Sequence, residues 1–178
     1  MVTGSATEPT VRVWDVATGE TRRVLVGHRK PVTSVALAGE SGIVVTAAGD
    51  GTVRVWAVER NSKGSGREEG EEMCVLEMKG DGVVPTSVAV SGDGTRLVCG
   101  TDDKVASVWE VAEGKPARML RRVESHTAGG VAMTKDGKRV VVGMDGNGLR
   151  VVDVDSGAVL QELVGHVSYV FAVAVTTL

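Results

Sequence analysis

Aromatic residues, histidine and cysteine are all scarce in this 178-residue chain, which holds one Tyr, one Phe, three Trp, three His and two Cys. Two cysteines cannot make a disulfide framework; Cys74 and Cys99 both fall in strand-like runs, where buried, inert thiols are expected. The histidines, at 28, 126 and 166, match no metal-ligand spacing. No metal site and no cofactor is expected. The chain also lacks a P-loop: the pairs Gly49/Gly51 and Gly92/Gly94 punctuate hairpins and do not cradle a phosphate. Twenty basic against 23 acidic residues leave a formal charge of −3, too slight for a nucleic-acid-binding arm or a polyanion, so no specific nucleic-acid binding is expected. No apolar run approaches the roughly 18 residues of a membrane span, and Met1–Ser5 has neither the basic start nor the apolar core of a secretory signal. No membrane association is expected, and a cytoplasmic location, with the nucleus as the alternative, is the default reading.

Valine, alanine and glycine are abundant instead, a balance that suits many short strands joined by tight turns. One stretch recurs. Asp50-Gly51-Thr52-Val53-Arg54-Val55-Trp56 is echoed upstream by Val11-Arg12-Val13-Trp14-Asp15. Downstream it returns as Val105-Ala106-Ser107-Val108-Trp109-Glu110 and as Leu149-Arg150-Val151-Val152-Asp153. The aligned positions Trp14, Trp56, Trp109 and Val152 lie 42, 53 and 43 residues apart. A period near 42 with a Trp-Asp-like end is the sign of a β-propeller array, one four-stranded unit per repeat.

The second repeat sets the template. Val32–Leu37 reads as an innermost strand a, Ile43–Ala47 as b, Thr52–Val58 as c and Met73–Met78 as the outer strand d. Alternation in Thr52–Trp56 puts Val53 and Val55 on one face, with Thr52, Arg54 and Trp56 on the other. Residues 59–72, rich in Gly, Ser and charge, read as a flexible insertion that accounts for the 53-residue interval. The third repeat runs Thr86–Val90, Arg96–Gly100, Val105–Val111 and Ala117–Val123. The fourth runs Gly129–Met133, Arg139–Gly143, Leu149–Val154 and Val159–Leu163. The chain opens at the end of a strand b (Val2–Ser5), continues with c (Thr10–Val16) and d (Thr21–Val26), and carries a last strand a at Tyr169–Val175. The reading is therefore all-β, with four blades' worth of antiparallel strands. Their bounds are roughly 1–26 plus 166–178 for a blade split between the termini, then 27–79, 80–123 and 124–164. Zipping the terminal strands together would leave no bare sheet edge.

The pairing of Gly27-His28 with Trp56 and Asp50-Gly51-Thr52-Val53-Arg54, in phase over four repeats, resembles the WD-repeat (WD40) β-propeller family across nearly the whole chain. The resemblance implies a hydrogen-bonded tetrad in each blade. In the second blade this is His28, Thr46, Asp50 and Trp56: a hydroxyl bridges the indole N–H and the imidazole, and a carboxylate takes the other imidazole N–H. In the split blade the corresponding set is His166, Thr3, Glu8 and Trp14. The third repeat keeps only Asp103 and Trp109, with Asp81 and Cys99 at the His and hydroxyl positions. The fourth has Glu124, Val142, Gly146 and Val152, and should rest on valine packing. His126 is out of phase, and Asp145 would serve only with a one-residue shift.

A hydroxyl, an imidazole and a carboxylate are also the components of a hydrolase triad. Thr46, His28 and Asp50 read better as structure, since no oxyanion-hole loop is apparent and Trp56 already explains the hydroxyl's partner. The resemblance implies a non-enzymatic scaffold that binds other proteins or peptides on the propeller face. Arg29, Lys30, Ser168 and Tyr169 are the candidate contacts, and Arg22 and Arg23 would extend a basic rim. Two alternatives stand beside it. One is a structural half-ring or a fragment of a longer WD-repeat protein, with a homodimer completing the ring; the other is a propeller enzyme.

Overall fold

The computed structural model describes residues 1–58, 71–78, 80, 82–125, 130–144, 148–168, 170 and 172–175. The β-branched runs form fifteen strands. They are β1 (Val2–Gly4), β2 (Thr10–Trp14), β3 (Thr21–Val26), β4 (Val32–Ala38), β5 (Ile43–Ala48), β6 (Thr52–Ala57), β7 (Glu71–Glu77) and β8 (Pro85–Val90), followed by β9 (Arg96–Thr101), β10 (Val105–Glu110), β11 (Arg118–Glu124), β12 (Ala132–Met133), β13 (Arg139–Met144), β14 (Gly148–Asp153) and β15 (Val159–Leu163). No helix occurs among the described residues. Consecutive strands pair antiparallel into four sheets: β1-β2-β3, β4-β5-β6-β7, β8-β9-β10-β11 and β12-β13-β14-β15. The architecture is that of propeller blades.

The repeat extends to backbone detail. The third and fourth strands of every full sheet shift register at the same point, between Val55/Trp56, Val108/Trp109 and Val151/Val152. Val13/Trp14 does the same in the first sheet. A bulge there twists the outer strand and re-aims the residue at the aligned Trp position. The hairpins before the third strand repeat as well. Gly51 takes φ 82° and Lys104, at the equivalent position, takes φ 66°, a left-handed conformation that glycine accepts and a lysine adopts at a cost.

Neighbouring sheets bury their facing sides against one another. Val11, Val13 and Leu25 of the first sheet meet Val32, Val44, Trp56 and Val58 of the second. Val45, Val53 and Val55, on the second sheet's other face, meet Val88, Leu97 and Cys99 of the third. Val98, Ala106 and Val108 then meet Val140, Val142, Val152 and Val154 of the fourth. The alternation expected for Thr52–Trp56 is therefore the one that divides two cores. Hydroxyls stitch the inner strands together: Ser34 accepts from the Val88 N–H and Ser87 from the Val131 N–H, both at 3.2 Å. Among the described residues the fourth sheet does not pack on the first, and the arc stays open.

Two expectations need correction. Strand β7 begins at Glu71, so the excursion placed at 59–72 gives up its last two residues to the sheet. Glu72 lies beside Arg54 as an ion pair, and that contact draws the acidic end of the excursion into the ladder; residues 59–70 lie outside the described residues. The last strand a at Tyr169–Val175 does not form among the described residues, since Val170 and Ala172–Val175 are in no strand. The first sheet consequently has three strands, with β1 at its edge. Among the described residues the two termini do not pair into one blade.

Candidate functional site

Gly27-His28 follows β3, the hydroxyl of Thr46 lies near the end of β5, Asp50 opens the β5–β6 hairpin, and Trp56 sits near the end of β6. Pairing of β5 with β6 brings the four together. The Trp56 Nε1–H donates to Thr46 Oγ1 at 2.9 Å, and Thr46 Oγ1 lies 2.8 Å from His28 Nε2. His28 Nδ1 lies 3.2 Å from Asp50 Oδ2. Since the Thr46 oxygen receives the indole proton, its own hydrogen goes to Nε2, and the imidazole proton sits on Nδ1 facing Asp50. The imidazole is neutral in this arrangement. Its pKa agrees: burial pushes it below the ordinary 6.5, and the hydrogen bond and charge of Asp50 only partly oppose that.

Asp50 also organises the turn. One oxygen accepts from the Arg29 amide at 2.8 Å; the other accepts from the Thr52 amide at 3.0 Å and its hydroxyl at 2.7 Å. Burial alone would raise this carboxyl. The Arg29 and Thr52 donors and the His28 N–H outweigh it and hold the group at about 2, below the ordinary 3.8. Carboxylate and imidazole thus tie the loop before β4 to the β5–β6 turn.

Beside this network lies a cleft of about 470 Å³, lined by the second sheet, the loop before β4 and the β7–β8 connection. Arg29 and Lys30, the Gly49–Thr52 turn, and Gly82, Val83 and Val84 of the β7–β8 connection are among its lining residues. Both basic residues are exposed. Arg22 and Arg23 sit elsewhere, at the start of β3, lining a separate cleft with Met1 and Trp14. They do not extend the rim. Ser168 is exposed, and Tyr169 lies outside the described residues.

The other constellations are partial. In the first sheet the Trp14 Nε1–H donates to Thr3 Oγ1 at 2.7 Å, and Glu8 accepts from the Thr10 hydroxyl at 3.2 Å. His166 is exposed. In the third sheet Asp103 and Trp109 are not joined. The Trp109 indole N–H is buried with no acceptor among the described residues, because Cys99 replaces the bridging hydroxyl and its thiol lies against Met78 Sδ and the Gly100 carbonyl. Burial, with the nearby Asp103 charge, pushes that thiol up to about 12. Asp103 instead receives the Thr101 hydroxyl. The role Asp50 plays toward Arg29 falls to Asp102, which accepts the Val84 amide at 2.9 Å. In the fourth sheet Val142 and Val152 are buried in the valine core, while Glu124 ends β11 of the third sheet and is exposed; Asp81, His126, Asp145 and Gly146 lie outside the described residues. Sequence reading missed Asp102, because it sits one residue before the aligned carboxylate. It also missed the Ser34 and Ser87 stitches, whose signal was a serine at the same position of two inner strands.

Comparison with known proteins agrees with the geometry. Residues 19–57 and 72–110 match the family described as WD domain, G-beta repeat. Topless-related protein 1 of Arabidopsis thaliana is 27% identical over 87% of this chain and 13% of its own length. Pre-mRNA-processing factor 19 of Mus musculus is 28% identical over 72% of this chain and 23% of its own. Nuclear distribution protein nudF of Aspergillus niger is 25% identical over 62% of this chain and 33% of its own. The chain thus spans a third or less of each of these relatives. With the in-phase repeat, the bladed sheets and two matched segments in agreement, residues 19–57 and 72–110 of this chain are WD repeats.

Proposed function

We propose that this chain is a non-enzymatic interaction module, engaging a segment of another protein at the cleft beside its second blade. The observation that carries this reading is the cleft itself. Its lining residues Arg29 and Lys30 are exposed, while Asp50 is hydrogen-bonded to His28 and to the Arg29 amide, so the loop before β4 is held in one conformation before any partner arrives. Pre-ordering of that kind reduces the entropy lost on binding. The relatives named above are much longer than this chain, which fits a domain that works as part of a larger assembly.

Thr46, His28 and Asp50 argue against a hydrolase. Thr46 is 0% exposed, and its hydroxyl is occupied by Trp56 and His28, so no substrate carbonyl reaches it. The test is quantitative affinity capture with the intact chain and with an Arg29→Glu/Lys30→Glu variant of unchanged circular dichroism. The reading expects co-purifying proteins to be lost with the variant. An unaltered set of captured proteins would reject this cleft.

A further inference from the structure

We infer that the cleft takes an acidic segment of its partner, whose side-chain anions meet Arg29 and Lys30 while a neighbouring apolar side chain lies on Val75 and Val83. This rests on the docking reading above and names the chemistry of the partner. Its first support is charge. Elsewhere on the surface arginines are met from within the chain: Arg118 pairs with Glu110, Arg122 with Asp103 and Arg150 with Glu162. Arg29 and Lys30 are both exposed, and neither has an ion-pair partner among the described residues. Arg54 adds a third cation to the lining. It forms an ion pair with Glu72, but its Nε is buried with no acceptor among the described residues.

Against these three cations the described lining sets two carboxylates, Asp50 and Glu77. Asp50 is already engaged by the Arg29 amide, the Thr52 amide and hydroxyl, and the His28 ring. Glu77 alone is left to oppose an incoming anion. The cleft is therefore cationic on a chain whose formal charge is −3, and a concave site of one sign concentrates ligands of the other.

The second support is shape and lining. A volume of about 470 Å³ lies in the range of about 300–1,000 Å³ that encloses a drug-sized ligand, which is room for a few side chains of a peptide. Val75 is 38% exposed in β7, and Val83 and Val84 are half-buried in the β7–β8 connection. Apolar surface thus lies in the same cleft as the cations, so a segment that alternates acid with an apolar residue gains from both. No aromatic side chain occurs among the described lining residues. Nothing there stacks on a base, and a nucleic acid is the poorer fit to the same charge. Asp50 also fixes the Arg29 backbone before binding, which reduces the ordering cost of a short ligand.

The test is selection of displayed random heptapeptides by the intact chain and by two variants with unchanged circular dichroism. Arg29→Gln/Lys30→Gln removes the charges and keeps the cleft; Val75→Trp puts an indole into the cleft and keeps the charges. The intact chain is expected to enrich peptides with paired Asp or Glu beside an apolar residue, and to lose them with either variant. In fluorescence anisotropy the best peptide should bind roughly two- to thirtyfold more weakly to the glutamine variant, the loss of two exposed ion pairs, and should weaken as salt is raised. Phosphoserine in place of each selected carboxylate distinguishes the two anions, and tighter or weaker binding assigns phosphate or carboxylate as the preferred one. Neutral or basic peptides that are lost with Val75→Trp but kept by the glutamine variant would overturn the acidic partner and leave the docking reading standing. Enrichment indifferent to both variants, or none above background, would overturn both. A short single-stranded DNA that binds more tightly than any selected peptide, and is lost with the same glutamine change, would overturn the inference in favour of nucleic acid.

Discussion

Replacing Thr46 by valine isolates the hydrogen-bonded network from simple packing. Valine has the shape of threonine, and the fourth blade already holds Val142, 0% exposed, at the same position, so sterics are not the issue. What is lost is an acceptor for the Trp56 N–H and a donor to His28 Nε2, at 2.9 and 2.8 Å. Trp56 is 2% exposed and His28 6%, so water does not replace the hydroxyl. Each stranded group costs about 1–3 kcal/mol, which puts Thr46→Val at roughly 2–6 kcal/mol. Thr46→Ser keeps the hydroxyl and loses one methyl group, at a cost of about 1 kcal/mol. Urea unfolding followed by tryptophan fluorescence compares the two. If the valine variant proves no less stable than the serine variant, the hydroxyl is not the centre of the blade and the reasoning fails.

Four further outcomes follow from the same geometry. Lowering pH should destabilise the fold in two stages. The folded His28 pKa lies below 6.5, so the unfolded chain binds protons first and stability falls as pH drops through 6.5 toward the depressed value; Asp50 adds a second loss between 3.8 and about 2. Thermal melts from pH 8 to pH 3 with His28→Gln as reference should show the first stage missing in the variant. Lys104→Gly should stabilise by about 0.5–1 kcal/mol by relieving a left-handed lysine, and equal or lower stability in chemical unfolding would contradict that. Cys99, fully buried and with its pKa pushed up to about 12, should resist thiol reagents at pH 8 until the protein unfolds; rapid labelling of both cysteines in the native state would be inconsistent. Trp56→Ala should cost about 3–5 kcal/mol, measured in the same urea assay, because it empties a site between two sheets as well as stranding Thr46.

The blades were legible because their signals are local and repeated. Alternating valines set which face turns to which core, and the aligned Trp positions set the strand on which the network and the bulge recur. His28, Thr46, Asp50 and Trp56 were readable as a group through the resemblance to WD repeats, and strand pairing converts their intervals along the chain into contacts. Other features depend on what lies alongside in space. Asp102 takes the amide-capping role in the third blade because Val84 presents its N–H there, which no spacing reveals. Trp109 loses its acceptor through one substitution on a neighbouring strand, at Cys99. The last strand a carries the right sequence, yet pairing needs a sheet edge within reach, and β1 lies at the far end of an open arc. The cleft beside Arg29 and Lys30 likewise depends on how the β7–β8 connection faces the β5–β6 turn.

Hydrogen exchange with and without a captured partner reports whether a partner docks on the face carrying the loop before β4 and the β5–β6 turn. Docking there should slow exchange at residues 28–30, 49–52 and 82–84, with residues 91–94 and 135–138 on the opposite turns unchanged. Protection confined to the opposite turns, or none at the cleft, would contradict it.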